Sequence, residues 1–166
     1  MAKEIERKFL VVGDAWRAGA VGTRYRQGYL AAGACTVRVR LAGERGFLTV
    51  KGRAVGPVRD EYEYPIPAAD AAEMLERLCA GGRIEKVRHR VEHRGHLWEV
   101  DEFAGENAGL VVAEVELASP DEDVELPPWA GAEVTDDPRY ANASLARAPY
   151  TRWPPAGGGP GGTDAT

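Results

Sequence analysis

Charge laid out by strict alternation constrains this chain more than any other feature. Glu4-Ile5-Glu6-Arg7-Lys8-Phe9-Leu10, Thr36-Val37-Arg38-Val39-Arg40-Leu41 and Asp60-Glu61-Tyr62-Glu63-Tyr64 all alternate. So do Glu85–Val91, Leu97-Trp98-Glu99-Val100-Asp101 and Ala113-Glu114-Val115-Glu116-Leu117. In a strand, residues i, i+2 and i+4 share a face. Each run therefore has one charged and one apolar face, and the ordinary reading is an antiparallel sheet with a wet side. Two details oppose it. The charges come as like-sign doublets, whereas a solvated face normally intersperses signs. The apolar faces carry Phe9, Tyr62, Tyr64 and Trp98, which need cover.

With Tyr25–Leu30 and Phe47–Lys51 added, the runs make about eight strands joined by short turns and loops, with a tight turn at Gly95. Helical signals are few. Pro67–Cys79 starts with Pro, spaces Ala71, Met74, Leu75 and Leu78 helically, and ends at Gly81-Gly82. Asp14 caps a short turn through Trp16, and Arg139–Arg147 is a weaker late helix. These helices are too few to cover a large open sheet. The expected fold is mostly β (α+β), a closed or nearly closed antiparallel β-barrel of about eight strands with a few external helices. Residues 1–152 form the domain, and 153–166, rich in Pro and Gly, form a flexible tail.

Closing the sheet with its charged faces inward reconciles the pattern. The inward acids are then Glu4, Glu6, Glu61, Glu63, Glu99, Asp101, Glu114 and Glu116, facing Lys8, Arg38, Arg40, Lys51, Lys86 and Arg88. Eight strands leave room for side chains or one small ligand. Unpaired charge in a dry interior costs several kcal/mol per ion, so such a barrel must be wet and occupied. Carboxylate clusters suit hard divalent cations, and Arg/Lys clusters suit a polyanion. A site needing both is a metal–polyphosphate site, where catalysis consists of positioning and charge neutralisation.

Composition narrows the partners. The net charge of −5 over 166 residues argues against a general nucleic-acid binder. No apolar run approaches the roughly 20 residues that span a bilayer. The charged N-terminus lacks a signal-peptide pattern, and two cysteines make no disulfide framework. The expectation is a cytoplasmic protein acting on a small molecule, with no membrane and no nucleic-acid partner.

Glu4-Ile5-Glu6-Arg7-Lys8 resembles the E-x-E-x-K signature of the CYTH superfamily, the triphosphate tunnel metalloenzymes. The resemblance continues in order through Arg26-Gln27-Gly28-Tyr29-Leu30, Val37–Arg40, Val50-Lys51-Gly52 and Glu61-Tyr62-Glu63. It extends through Glu85–Arg88, Val100-Asp101, Glu114-Val115-Glu116 and Tyr140-Ala141-Asn142, and is nearest to short bacterial members that hydrolyse inorganic triphosphate. It implies a β-tunnel that binds triphosphate with Mg²⁺ or Mn²⁺ and hydrolyses it by in-line attack of water. By the same resemblance Glu4, Glu6, Glu114 and Glu116 are metal-site carboxylates, supported by Glu63 and Asp101. Arg38, Arg40, Lys51, Lys86 and Arg88 look like the phosphate cradle. Lys8 and Tyr29 look like the pair that activates water, Lys8 as a base whose proton affinity neighbouring cations lower. Strand parity points Gln27 inward with Tyr29 and Arg26 outward. Ala141 and Ala143 stand where some relatives carry lysines, so the late helix is expected to give no phosphate contact and to leave the tunnel open there. A class IV-type adenylate cyclase, a thiamine-triphosphatase and a non-catalytic polyphosphate- or nucleotide-binding module are the rival readings.

Other features are read as structural. His89, His93 and His96 straddle a turn without a fourth ligand, so no zinc site is expected. Cys35, on a strand near Arg38, is expected to be a buried thiol.

Overall fold

The computed structural model describes residues 3–79 and 81–155. All eight expected strands form: β1 (Lys3–Val11), β2 (Val21–Ala31), β3 (Thr36–Ala42), β4 (Arg45–Lys51), β5 (Val58–Ile66), β6 (Arg83–His93), β7 (His96–Phe103) and β8 (Val111–Glu116). A ninth, β9 (Ala130–Glu133), has no alternating signal in the sequence. The spatial order is β5-β4-β3-β2-β6-β7-β8-β1-β9, every pair antiparallel. Closure comes from β1, whose first residues pair with β5 (Lys3↔Asp60, Ile5↔Val58) and whose last pair with β9. The result is an eight-strand barrel with one added strand. The β6–β7 turn shows why the hairpin is so tight: Arg94 and Gly95 both take positive φ (48° and 81°), as a two-residue primed turn requires.

The apolar exterior is covered piecemeal. Helix α1 (Ala68–Arg77) starts one residue after Pro67 and sets Ala71 and Leu75 on Val39. Leu78, expected on its apolar face, is largely exposed beyond the helix end. Phe9, Trp98, Val100 and Val115 pack on the opposite flank under Trp16, Leu117, Val124 and Trp129. Tyr62 and Tyr64, also expected to need cover, are exposed, because α1 packs mainly over β3 and β4. Helix α2 (Asn142–Arg147) follows a turn at Pro138–Tyr140, whose first amide is capped by Asp137, and buries Leu145 and Ala146 on Ile84 and Phe103. Gly82 permits this packing: its φ is +96°, and a Cβ there would lie 2.2 Å from the Ala146 carbonyl oxygen.

Trp153, assigned by sequence to the tail, stacks edgewise on Tyr140 and Tyr150 and donates its indole N–H to the Ala148 carbonyl. The Pro/Gly-rich stretch from 156 on lies outside the described residues. Cys35 is exposed, contrary to expectation, because β3 begins only at Thr36 and Cys35 belongs to the preceding turn. His89 and His96 lie apart, Nε2 of His89 3.5 Å from Glu102 and that of His96 2.9 Å from Glu122.

Candidate active site

The inward faces enclose a cavity of about 760 Å³. Of the residues expected at the site, Glu4, Glu6, Lys8, Tyr29, Arg38, Arg40, Lys51, Glu63, Lys86, Arg88, Glu114 and Glu116 all line it. Asp101 does not. It is fully buried behind the wall, and its carboxylate accepts from Lys86 Nζ at 2.7 Å, Arg88 Nε at 2.8 Å and Arg88 Nη2 at 2.9 Å. Asp101 thus anchors two cations.

The acidic side is built by β1, β5, β7 and β8. Register sets Glu6 opposite Glu116, Lys8 opposite Glu114, and Glu99 opposite Glu114. Lys51 Nζ bridges Glu4 at 2.7 Å and Glu61 at 3.0 Å. Burial alone would raise the Glu4 carboxyl, but hydrogen bonding to Glu61 and the Lys51 ammonium hold it far below the usual range. Its partner Glu61 is pushed up to about 7 by burial and that same hydrogen bond. Glu6 rises well above an ordinary glutamate through burial and the charges of Glu114 and Glu4.

Lys8 corrects an expectation. Its Nζ lies 3.5 Å from Glu114 and 3.4 Å from the Tyr140 carbonyl oxygen. Burial would weaken the ammonium, yet Glu114, Glu6 and Asp101 more than offset this and raise its proton affinity. Its neighbours are acids rather than the cations expected, so the argument for a lowered proton affinity fails.

The basic side comes from β2, β3 and β6. Arg40, Arg88 and Lys86 fan around the Tyr25 ring at 4.8, 5.1 and 6.0 Å from its centroid. Burial, Arg38 and Arg88 pull the Arg40 guanidinium down to about 10. Burial, with Arg88 and Arg40 nearby, takes Lys86 to about 7 despite Asp101. Among the described residues Arg40 has no carboxylate within ion-pair distance. A cluster of crowded cations of this kind is charge held ready for an anion.

These shifts give the metal-free, ligand-free protein an inverted pH profile. Glu61 holds its proton more tightly folded (about 7) than at its ordinary 4.5, so stability falls as pH rises between those values. Lys86 holds its proton less tightly folded (about 7) than at its ordinary 10.5, so stability returns as pH rises from 7 towards 10.5. Thermal unfolding in EDTA is expected to show its lowest Tm near pH 7, where stability is roughly 1–3 kcal/mol below that on either side. A maximum there would contradict the crowding.

Several lining residues escaped the sequence reading. Tyr25 follows from the parity that turned Tyr29 and Gln27 inward, and Arg90 continues Lys86 and Arg88. Arg59 continues Glu61 and Glu63, and donates to Thr36. Glu61 and Glu99, inward acids by strand parity, line the cavity as well. Arg26 points outward, 3.9 Å from Glu85, as parity requires. The late helix is a second correction: Asn142, Ser144 and Arg147 reach the cavity. Asn142 Oδ1 accepts from Lys86 Nζ at 2.9 Å, so this side is tied to the wall rather than open. Neither Asn142 nor Arg147 belongs to an alternating run.

The donor set suits a hard divalent cation: carboxylate oxygens of Glu4, Glu6, Glu114 and Glu116 share one wall, and Glu6 is crowded by like charge. Among the described residues no three His, Cys, Asp or Glu side chains are yet gathered as a chelate, since Lys51 and Lys8 draw Glu4 and Glu114 aside.

A closed antiparallel barrel with carboxylates on one inner wall and guanidinium and ammonium groups on another defines a β-tunnel protein with a charged interior. The chain belongs to the CYTH domain family, whose model matches residues 2–150. It is 51% identical over 151 residues to an inorganic triphosphatase of Acetivibrio thermocellus, covering 90% of this chain and 97% of that protein. An inorganic triphosphatase of Nitrosomonas europaea is 40% identical over 149 residues, with 86% and 96% covered. A crystal structure of an inorganic triphosphatase superposes with a TM-score of 0.63 at 38% identity, over 89% of this chain and 96% of that one.

Proposed function

We propose that this protein is an enzyme that hydrolyses inorganic triphosphate in its tunnel, with a divalent cation, Mg²⁺ or Mn²⁺, as cofactor. The carrying observation is the pairing of an acidic wall with a cluster of cations, in a chain half identical to a named inorganic triphosphatase. The cavity lining supports a bare phosphate chain over a nucleotide or thiamine ester. The Tyr25 ring is covered by Arg40 and Arg88, and Arg45 lies 5.1 Å over Phe47, so these faces are not free to stack a heterocycle. No helix of the described residues is long and apolar enough to cross a membrane, and we place the enzyme in the cytoplasm, with residues 1–152 as the catalytic domain.

Glu4, Glu6, Glu114 and Glu116 would hold the cation, with Glu63, which lies 3.7 Å from Arg38, supporting from the cradle side. Bound there, the cation would supply Lewis-acid chemistry, neutralising charge that develops on the phosphate chain. Arg38, Arg40, Lys51, Lys86 and Arg88 hold the phosphate chain in line. Lys8, kept as an ammonium by its acidic neighbours, orients the attacking water rather than deprotonating it. A loose phosphoryl-transfer transition state asks for positioning and charge stabilisation more than for a strong base.

Phosphate release from triphosphate, ATP and thiamine triphosphate tests the proposal. Triphosphate is expected to be the best substrate, and turnover to stop in EDTA and return with Mg²⁺ or Mn²⁺. Turnover undiminished by EDTA would remove the metal from the mechanism. Tyr29, whose hydroxyl accepts from Gln27 Nε2 at 3.2 Å, is free to donate into the cavity. Tyr29→Phe is expected to lower kcat with KM nearly unchanged, the mark of a contact made in the transition state. A raised KM with normal kcat would place Tyr29 in substrate binding instead.

A further inference from the structure

Gln27 is fully buried, and every polar atom of its side chain is engaged. Its Oε1 accepts from Arg40 Nε at 2.9 Å. Its Nε2 donates to the Tyr29 hydroxyl at 3.2 Å and to Asn142 Oδ1, also at 3.2 Å. The orientation of the amide is not arbitrary: flipped, it would set an NH₂ against a guanidinium and an oxygen against the Asn142 amide oxygen. Asn142 Oδ1 accepts a second hydrogen bond, from Lys86 Nζ at 2.9 Å. Two neutral side chains, one on β2 and one opening α2, thus join two cations of the cradle and the Tyr29 hydroxyl in one chain of contacts.

Neutral groups in these places have a chemical consequence. Arg40 would swing to any carboxylate within reach, and Lys86, which already shares the Asp101 carboxylate with Arg88, would be fully neutralised by a second, so that their charge would be spent before substrate arrives. An amide oxygen fixes the direction of a cation with a dipole and leaves its full charge in place. Gln27 engages Arg40 through Nε, and among the described residues the two terminal nitrogens have no hydrogen-bond partner. Lys86 gives one donor to Asp101 and one to Asn142, so one of its three remains.

We propose that Gln27 and Asn142 are positioning residues that orient Arg40, Lys86 and Tyr29 towards triphosphate without neutralising the cradle. This rests on the triphosphatase reading and deepens it. Gln27 must also donate from Nε2, but at Asn142 a merely structural role would ask only for an acceptor, and a carboxylate serves as well. Charge-preserving orientation demands an uncharged one.

Asn142→Asp separates the two, and Gln27→Glu places the same added charge beside Arg40. Both keep the size and the acceptor oxygen and gain an ion pair; Asn142→Asp is expected to fold with a Tm at or above wild type, whereas Gln27→Glu also gives up the two hydrogen bonds donated by Nε2. Binding of triphosphate in EDTA, read by calorimetry, is expected to weaken by about tenfold or more in each, with KM rising in parallel in the metal-supplemented phosphate-release assay. Asn142→Leu and Gln27→Met, which remove the acceptor, should also bind more weakly. Their double variant should be little worse than the poorer single, because the two act as a unit. Wild-type affinity and KM in Gln27→Glu and Asn142→Asp would overturn the proposal and leave the triphosphatase reading standing. A wild-type protein that binds triphosphate without hydrolysing it, with both carboxylate variants weakened, would sustain the positioning role and overturn the enzyme reading. Absence of triphosphate binding by the wild type would overturn both.

Discussion

Glu6→Gln is expected to abolish metal-dependent hydrolysis of triphosphate while raising the Tm of the metal-free protein. Both effects come from one crowded carboxyl. Glu6 lines the cavity opposite Glu116, and burial together with Glu114 and Glu4 penalises its charge. A group whose folded proton affinity is raised costs stability as pH rises above the ordinary glutamate value, so an uncharged amide of the same shape relieves that cost at pH 8. The amide is also a poor ligand for a hard cation. Losing a metal contact that stabilises the transition state by several kcal/mol lowers kcat/KM by roughly 10²–10³-fold or more. Phosphate release with saturating Mg²⁺ and a melting curve in EDTA measure the two sides. Normal turnover with an unchanged Tm would show that Glu6 neither binds the cation nor feels the crowding.

Arg40→Ala is the second variant with a large expected effect. Arg40 faces the cavity without a carboxylate partner among the described residues, and Arg38 and Arg88 already disfavour its charge. Its removal therefore leaves no abandoned anion and lessens repulsion, while cavity water can satisfy the Gln27 oxygen. The ligand-free protein should melt at the wild-type temperature or higher. With triphosphate the balance reverses: loss of a charge-assisted contact in a desolvated site costs about 2–5 kcal/mol, read as a fall in kcat/KM. Lys86→Ala should fall in the same range, with Asp101 still held by Arg88. If both variants keep wild-type kinetics, the cations do not touch substrate.

The alternating runs carried most of the fold, because a strand's two-residue period converts order along the chain directly into faces. Glu4-x-Glu6-x-Lys8, Arg38-x-Arg40, Lys86-x-Arg88 and Glu114-x-Glu116 all turned inward together, and the like-sign doublets signalled that the charged faces met each other rather than solvent. The same parity turned Gln27 in and Arg26 out. Strand β9 was not legible, since Ala130–Glu133 has no amphipathic period and exists because β1 still has an open edge beyond β5.

What the sequence by itself determined was the barrel, its inward charges and the residue types needed for a metal-bound polyphosphate. Which charges meet which was decided only by register and tilt, because a cross-strand partner is set by the pairing of two distant segments and not by either alone. Asp101 ended behind Lys86 and Arg88 instead of on the cavity, and Lys8 found acids where cations were expected. The reach of α2 was likewise tertiary. A six-residue helix has almost no intrinsic stability, and only its packing on Ile84 and Phe103, beneath the glycine that lets Ala146 approach, delivers Asn142 to Lys86 and Gln27.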